Sequence, residues 1–102
     1  MLRISTESKE YVKVPVTAKK SGIAFDPTGD VVKMAFSASE HLGVSPTWLT
    51  ASWESGAGRY WARCVVGPGG VVQLTAGTWW VFVQITDNPE VPVVGAGAIE
   101  VY

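Results

Sequence analysis

The residue types that carry chemistry are few in this chain, and they do not converge. His41 is the only imidazole and Cys64 the only thiol. A catalytic nucleophile needs a base within hydrogen-bond reach and a third group that orients the base. His41 falls in a short connection beside Glu40, with no nucleophile on a strained elbow, and reads as a surface side chain. Cys64 runs in phase with Tyr60, Ala62 and Val66, which predicts a buried, unreactive thiol. One Cys and one His cannot supply the four ligands of a structural zinc site, and a single Cys forms no internal disulfide. Asp26, Asp30, Asp87 and Glu90 fall in loops, but their spacing fits no EF-hand, and Asx turns account for them without an ion. The segments Gly67-Pro68-Gly69-Gly70 and Gly95-Ala96-Gly97 lack the Lys-Ser/Thr or the helix that a phosphate loop requires. The expectation is a protein that is not an enzyme, with no catalytic residue, no metal and no cofactor.

Tryptophan is the exception to this plainness. Five Trp in 102 residues exceed what one small core can hold. Their chemistry is that of contact, because a Trp ring joins a large apolar face to an N–H donor. Which of them face outward depends on the strands that carry them.

Those strands can be read from composition and period. The 28 β-branched residues (16 Val, 4 Ile, 8 Thr) outnumber 4 Leu sevenfold, and 11 Gly with 6 Pro interrupt the chain every few residues. This is an all-β composition. Residues 1–9 read as a polar arm, and residues 10–102 as one domain. Strands are expected at 11–17, 31–37, 48–54, 59–66, 71–74, 79–86 and 94–102. Pro15 puts the first at a sheet edge or a bulge. Turns fall at Ser21-Gly22, at Asp26-Pro27-Thr28-Gly29, at Gly56-Ala57-Gly58 and at Gly67 to Gly70. Ala38 to Gly43 fits a single helical turn ended by Gly. Asp87 to Pro92 is a loop kept out of the ladder by two prolines.

About seven antiparallel strands with turns every 8 to 12 residues predict an immunoglobulin-like β-sandwich. The inward phase would hold Leu49, Ala51 and Trp53; Tyr60, Ala62, Cys64 and Val66; Trp79, Val81, Val83 and Ile85; and Ile99 with Val101. Trp53 would be the central plug. Trp79 follows the corner Leu74-x-x-Gly77, and its indole N–H would need a backbone carbonyl. The opposite phase leaves Trp48, Trp61, Trp80 and Phe82 pointing outward as an aromatic contact patch.

Charge removes other function classes. Eight basic against nine acidic side chains give a net charge of −1, too little positive surface to hold nucleic acid by counterion release. No apolar run reaches the length of a membrane span, and the first ten residues lack the apolar core of a secretory leader. No membrane association is expected.

With these segments laid out, residues 10–102 resemble small immunoglobulin-like virion proteins of tailed bacteriophages, including the N-terminal domain of the baseplate upper protein family. The likeness rests on Asp26-Pro27-Thr28-Gly29 before a strand, Trp48 and Trp53 along the next, and Val66-Gly67-Pro68-Gly69 after a strand. It continues through Leu74-x-x-Gly77-x-Trp79-x-Val81, Asp87-Asn88-Pro89-Glu90-x-Pro92 and Gly95-x-Gly97-x-Ile99. Trp79 stands where the group commonly has Tyr. The resemblance implies a non-enzymatic structural part of a phage particle, made in the host cytoplasm and docked in the virion onto capsid, neck or tail proteins. Partners would be other virion proteins or further copies of the chain. The competing expectation, from the tryptophans alone, is a carbohydrate-binding module with Trp61 and Trp80 as its platform.

Overall fold

A computed structural model describes residues 2–16, 19–20, 23–24, 27–43, 46–57, 59–86, 91 and 93–102. The chain is all-β. In chain order the strands are β1 (Leu2–Ile4), β2 (Glu10–Val16), β3 (Lys19–Lys20), β4 (Ile23–Ala24), β5 (Val31–Ser37), β6 (Leu49–Thr50), β7 (Ser52–Gly56), β8 (Arg59–Val66), β9 (Gly77–Thr86) and β10 (Val93–Val101), with a 3-10 turn at Pro27–Gly29. A large sheet has the order β1-β10-β9-β5-β6 and a small sheet the order β2-β8-β7, while β3 and β4 pair with each other. Every named pairing is antiparallel except β1 with β10.

The two larger sheets bury one shared cluster. Val32, Met34, Val81, Val83, Ile99, Val101 and Ile4 come from the large sheet, and Val12, Ala62, Cys64 and Val66 from the small one. Each set keeps the period of two that sends alternate side chains to opposite faces. Met34 is fully buried and sits where the expected plug, Trp53, does not. Trp53 is half-buried at the margin of the cluster. The exchange has a simple cause: β7 is an edge strand only five residues long, so nothing beyond it closes over the ring. Tyr60, expected in the core, is half-buried at the start of β8 and lies outside the cluster.

Within residues 1–9, read as a polar arm, the described residues include a strand. Leu2–Ile4 adds to the large sheet in register with Ile99 to Val101, and Ile4 is 1% exposed. The Tyr102 N–H donates to the Ile4 carbonyl at 2.9 Å, and the Thr6 N–H donates to the Tyr102 carbonyl at 2.7 Å. Three residues are too few for alternation to register as a sequence signal, and the partner strand supplies what local pattern lacks.

The expected strand 48–54 is two strands. Register with Met34 holds Leu49–Thr50 on the large sheet, and Ser52–Gly56 joins the small one. At the crossing the Ala51 N–H donates to the Val32 carbonyl at 3.2 Å. The stretch 71–74 forms only a bridge from Val72 to Val66, though Leu74 is buried. Residues 38–41 bend without a helical turn. The hydroxyls of Ser37 and Ser39 both donate to the His41 carbonyl at 3.0 Å, local bonds that compete with helix.

Two glycines fix the frame. Between Gly95 and Ala98, β10 carries one extra residue relative to β9. Val93 and Gly95 lie opposite Gln84 and Phe82 on the outer phase, yet after the bulge the odd-numbered Ile99 and Val101 are buried. The bulge therefore resets the phase, and Gly97 at φ 95° supplies the conformation it needs. Gly67, at φ 126°, ends β8 where a Cβ would collide with the Ser8 carbonyl oxygen and come 2.8 Å from the Lys9 Cα. A Cβ on Gly97 meets nothing within 4 Å. Replacing each with Ala separates backbone strain from collision: Gly97→Ala should cost about 1 kcal/mol, and Gly67→Ala about 2 kcal/mol or more. Urea unfolding of the two variants checks the order.

Candidate functional site

The five tryptophans fall into two groups by what their indole N–H does. Trp53 donates to the Asp30 carbonyl at 2.9 Å, and Trp79 to the Thr75 carbonyl at 2.9 Å. Both pack against the core cluster. Trp79 thereby makes the backbone bond its position after the Leu74 corner requires. For Trp48, Trp61 and Trp80, no described residue accepts the indole N–H. None of these nitrogens is sealed from solvent either, since no half-buried or buried side chain among the described residues hides an unpaired nitrogen. Each presents a bare donor at the rim of a half-buried ring.

The outward aromatics do not form one patch. Trp80 and Phe82 alternate with buried Val81 and Val83, so they lie on the outer face of the large sheet. Trp61 alternates with Ala62 and Cys64, so it lies on the outer face of the small sheet. Because the sheets share one core, these faces point in opposite directions. A single surface made of Trp61, Trp80 and Phe82 is therefore excluded, and so is a sugar platform spanning Trp61 and Trp80. Alternation along each strand says which way a ring points from it, but not which strands share a sheet.

On the large sheet, Trp80 lies opposite Ser37 on β5 and Ala98 on β10, and Phe82 opposite Ala35 and Gly95. Extending the β5–β6 register by one residue brings Trp48 level with Ala35. Large rings thus alternate with the smallest side chains across three strands. Phe82 covers Gly95, where a Cβ would come 3.6 Å from the ring carbon Cε1. Ala35, though on the outer phase, is 1% exposed. Trp48, Trp80 and Phe82 are half-buried on this outer face, although the sequence places them pointing outward.

The small sheet presents a different surface. The Glu54 carboxylate accepts from the Lys13 ammonium at 3.0 Å and from Arg63 Nη1 at 3.1 Å. The Lys13 hydrogen bond, joined by both positive charges, holds its carboxyl below the usual range against a smaller opposing effect of desolvation. Arg63 also donates from Nε to Ser52 Oγ at 3.3 Å and stacks its guanidinium 4.5 Å from the Tyr11 ring centre. No sequence signal pointed to this cluster, because its members are paired only by the β2-β8-β7 register.

The remaining chemistry-bearing residues stay apart. Cys64 is buried, its thiol pKa pushed up by desolvation, and its Sγ lies 4.0 Å from the Thr50 carbonyl. His41 is exposed, with Nε2 3.8 Å from Glu40. Asp30 contributes its carbonyl to Trp53. Asp26, Asp87 and Glu90 lie outside the described residues. Among the described residues, no group of three or more His, Cys, Asp or Glu is placed to hold a metal.

No family model, curated protein or solved structure matches the chain.

The division of the tryptophans has a direct readout. In a nitrogen-15 spectrum of the folded chain, the indole N–H signals of Trp53 and Trp79 should exchange slowly with solvent, and those of Trp48, Trp61 and Trp80 fast. Uniform protection of all five would contradict the assignment.

Proposed function

We propose that this chain is a non-enzymatic structural component of a tailed-phage particle. On this reading it is an immunoglobulin-like module that docks onto other virion proteins through the outer face of its large sheet. The observation that carries the docking is the row Trp80 and Phe82, set among Ser37, Ala35, Gly95 and Ala98, with the Trp80 indole N–H unpartnered among the described residues. Large half-buried rings on an outer face offer apolar contact area, and Trp is a leading anchor of interfaces. The apolar phase of β9 already completes the core with Val81 and Val83, so the outer rings are surplus to one subunit's folding.

Support for the immunoglobulin-like reading comes from strand order. On this reading β10-β9-β5 take the places of strands G, F and C of that fold, β2-β8-β7 those of B, E and D, and β6 that of C′. Trp79 then opens strand F after the corner, where the tyrosine corner of such domains sits, and it bonds back to Thr75 as that Tyr does. The virion assignment rests on the sequence resemblance over residues 10–102. Capsid, neck and tail proteins all remain in the partner class.

The test is a double variant, Trp80→Ser with Phe82→Ser, assayed for folding and for incorporation into particles. A folded monomer that no longer incorporates is expected. Normal incorporation of the folded variant would overturn the assigned face.

A further inference from the structure

The outer face of the small sheet carries a second kind of surface, built from residues the docking face does not use. Its outward side chains fall in cross-strand rows: Tyr11 with Val65, then Lys13, Arg63 and Ser52, then Pro15, Trp61 and Glu54, then Arg59 with Gly56. Trp61 stands in the middle, between Pro15 and Glu54, with Arg59 and Arg63 two residues either side of it on its own strand. Lys13, Arg59 and Arg63 against Glu54 leave two positive charges in excess here, on a chain whose net charge is −1. No other acidic side chain among the described residues falls in these rows.

Arg63 is held in place before any ligand arrives. Tyr11 supports its flat face, Ser52 takes Nε, and Glu54 takes Nη1. Those two bonds use two of its five N–H groups and leave the rest for a ligand. Glu54, shared between Lys13 and Arg63, is neutralised within the cluster and does not repel an anion. A planar guanidinium fixed this way is suited to receiving a carboxylate, and its ordering is complete in the free protein. Tyr, Trp and Arg side by side are also the residue types that dominate binding energy in protein interfaces.

We propose that this face binds an acidic polypeptide segment, with Arg63 receiving a carboxylate and Trp61 covering an adjacent apolar side chain while its indole N–H donates to the segment's backbone. The charge excess selects an acidic occupant, and the single central ring matches one apolar anchor better than the successive rings a glycan chain stacks on. The inference does not depend on the large-sheet docking face, so the two stand or fall separately.

The test uses the full chain and a synthetic peptide that alternates Glu with Leu, with a Gln and Leu peptide as the uncharged control. Titration followed by nitrogen-15 spectra should give saturable binding of the acidic peptide, weakening as salt rises. The Trp61 indole signal should shift and the Trp80 signal should not. Arg63→Gln should weaken binding about tenfold or more, with Arg63→Lys restoring little of it because the fork is lost. Lys33→Gln, which removes a positive charge from the other sheet, should leave affinity unchanged. Should Arg63→Gln fail to fold, Arg59→Gln removes an exposed charge from the same face and should weaken binding severalfold. Equal affinity for the two peptides, unchanged affinity in the folded Arg variants, or binding of an oligogalacturonate with none of the acidic peptide would each overturn the proposal.

Discussion

Everything in this molecule depends on two sheets sharing one apolar layer. Met34, fully buried on the large sheet, belongs to the same cluster as Ala62 and Cys64 of the small sheet. Burial of that layer is the main favourable contribution to folding. It also dictates what the outer faces can be, because a β-strand sends alternate side chains to opposite sides. Once Val81 and Val83 face inward, Trp80 and Phe82 must face outward. Once Ala62 and Cys64 face inward, Trp61 and Arg63 must face outward on the opposite side of the molecule.

The constraint is demanding enough that one extra residue serves it. Without the bulge at Gly97, Ile99 and Val101 would fall on the outer phase of β10, and Ala98 and Glu100 would face the core. Parallel addition of Leu2–Ile4 to the end of β10 then completes the layer with Ile4. The N-terminal residues are thereby committed to the chain's own sheet.

Much of this was legible in the sequence. Alternation identified the inward phase of β8, β9 and the end of β10, and the buried thiol of Cys64 followed from it. The corner before Trp79 predicted an indole that needs a backbone carbonyl, and Thr75 provides it. What local pattern could not carry was partnership between distant strands. Leu2–Ile4 is too short to show a period, and the passage at Ala51 looks like continuous alternation although the strands on either side belong to different sheets. The same gap explains the aromatic surfaces. Period two told which way each ring points from its own strand, but only the sheet order reveals that Trp61 and Trp80 point away from each other. It also assembles Lys13, Glu54 and Arg63, which are far apart along the chain.

The inner layer sustains the fold, and the outer aromatics of the large sheet add little to it. Equilibrium unfolding of Met34→Ala and Trp80→Ala measures this most directly. A loss of about 2–5 kcal/mol is expected for Met34→Ala and of about 1 kcal/mol or less for Trp80→Ala. Losses of similar size in the two variants would contradict this, because Trp80 would then be part of what holds the subunit together.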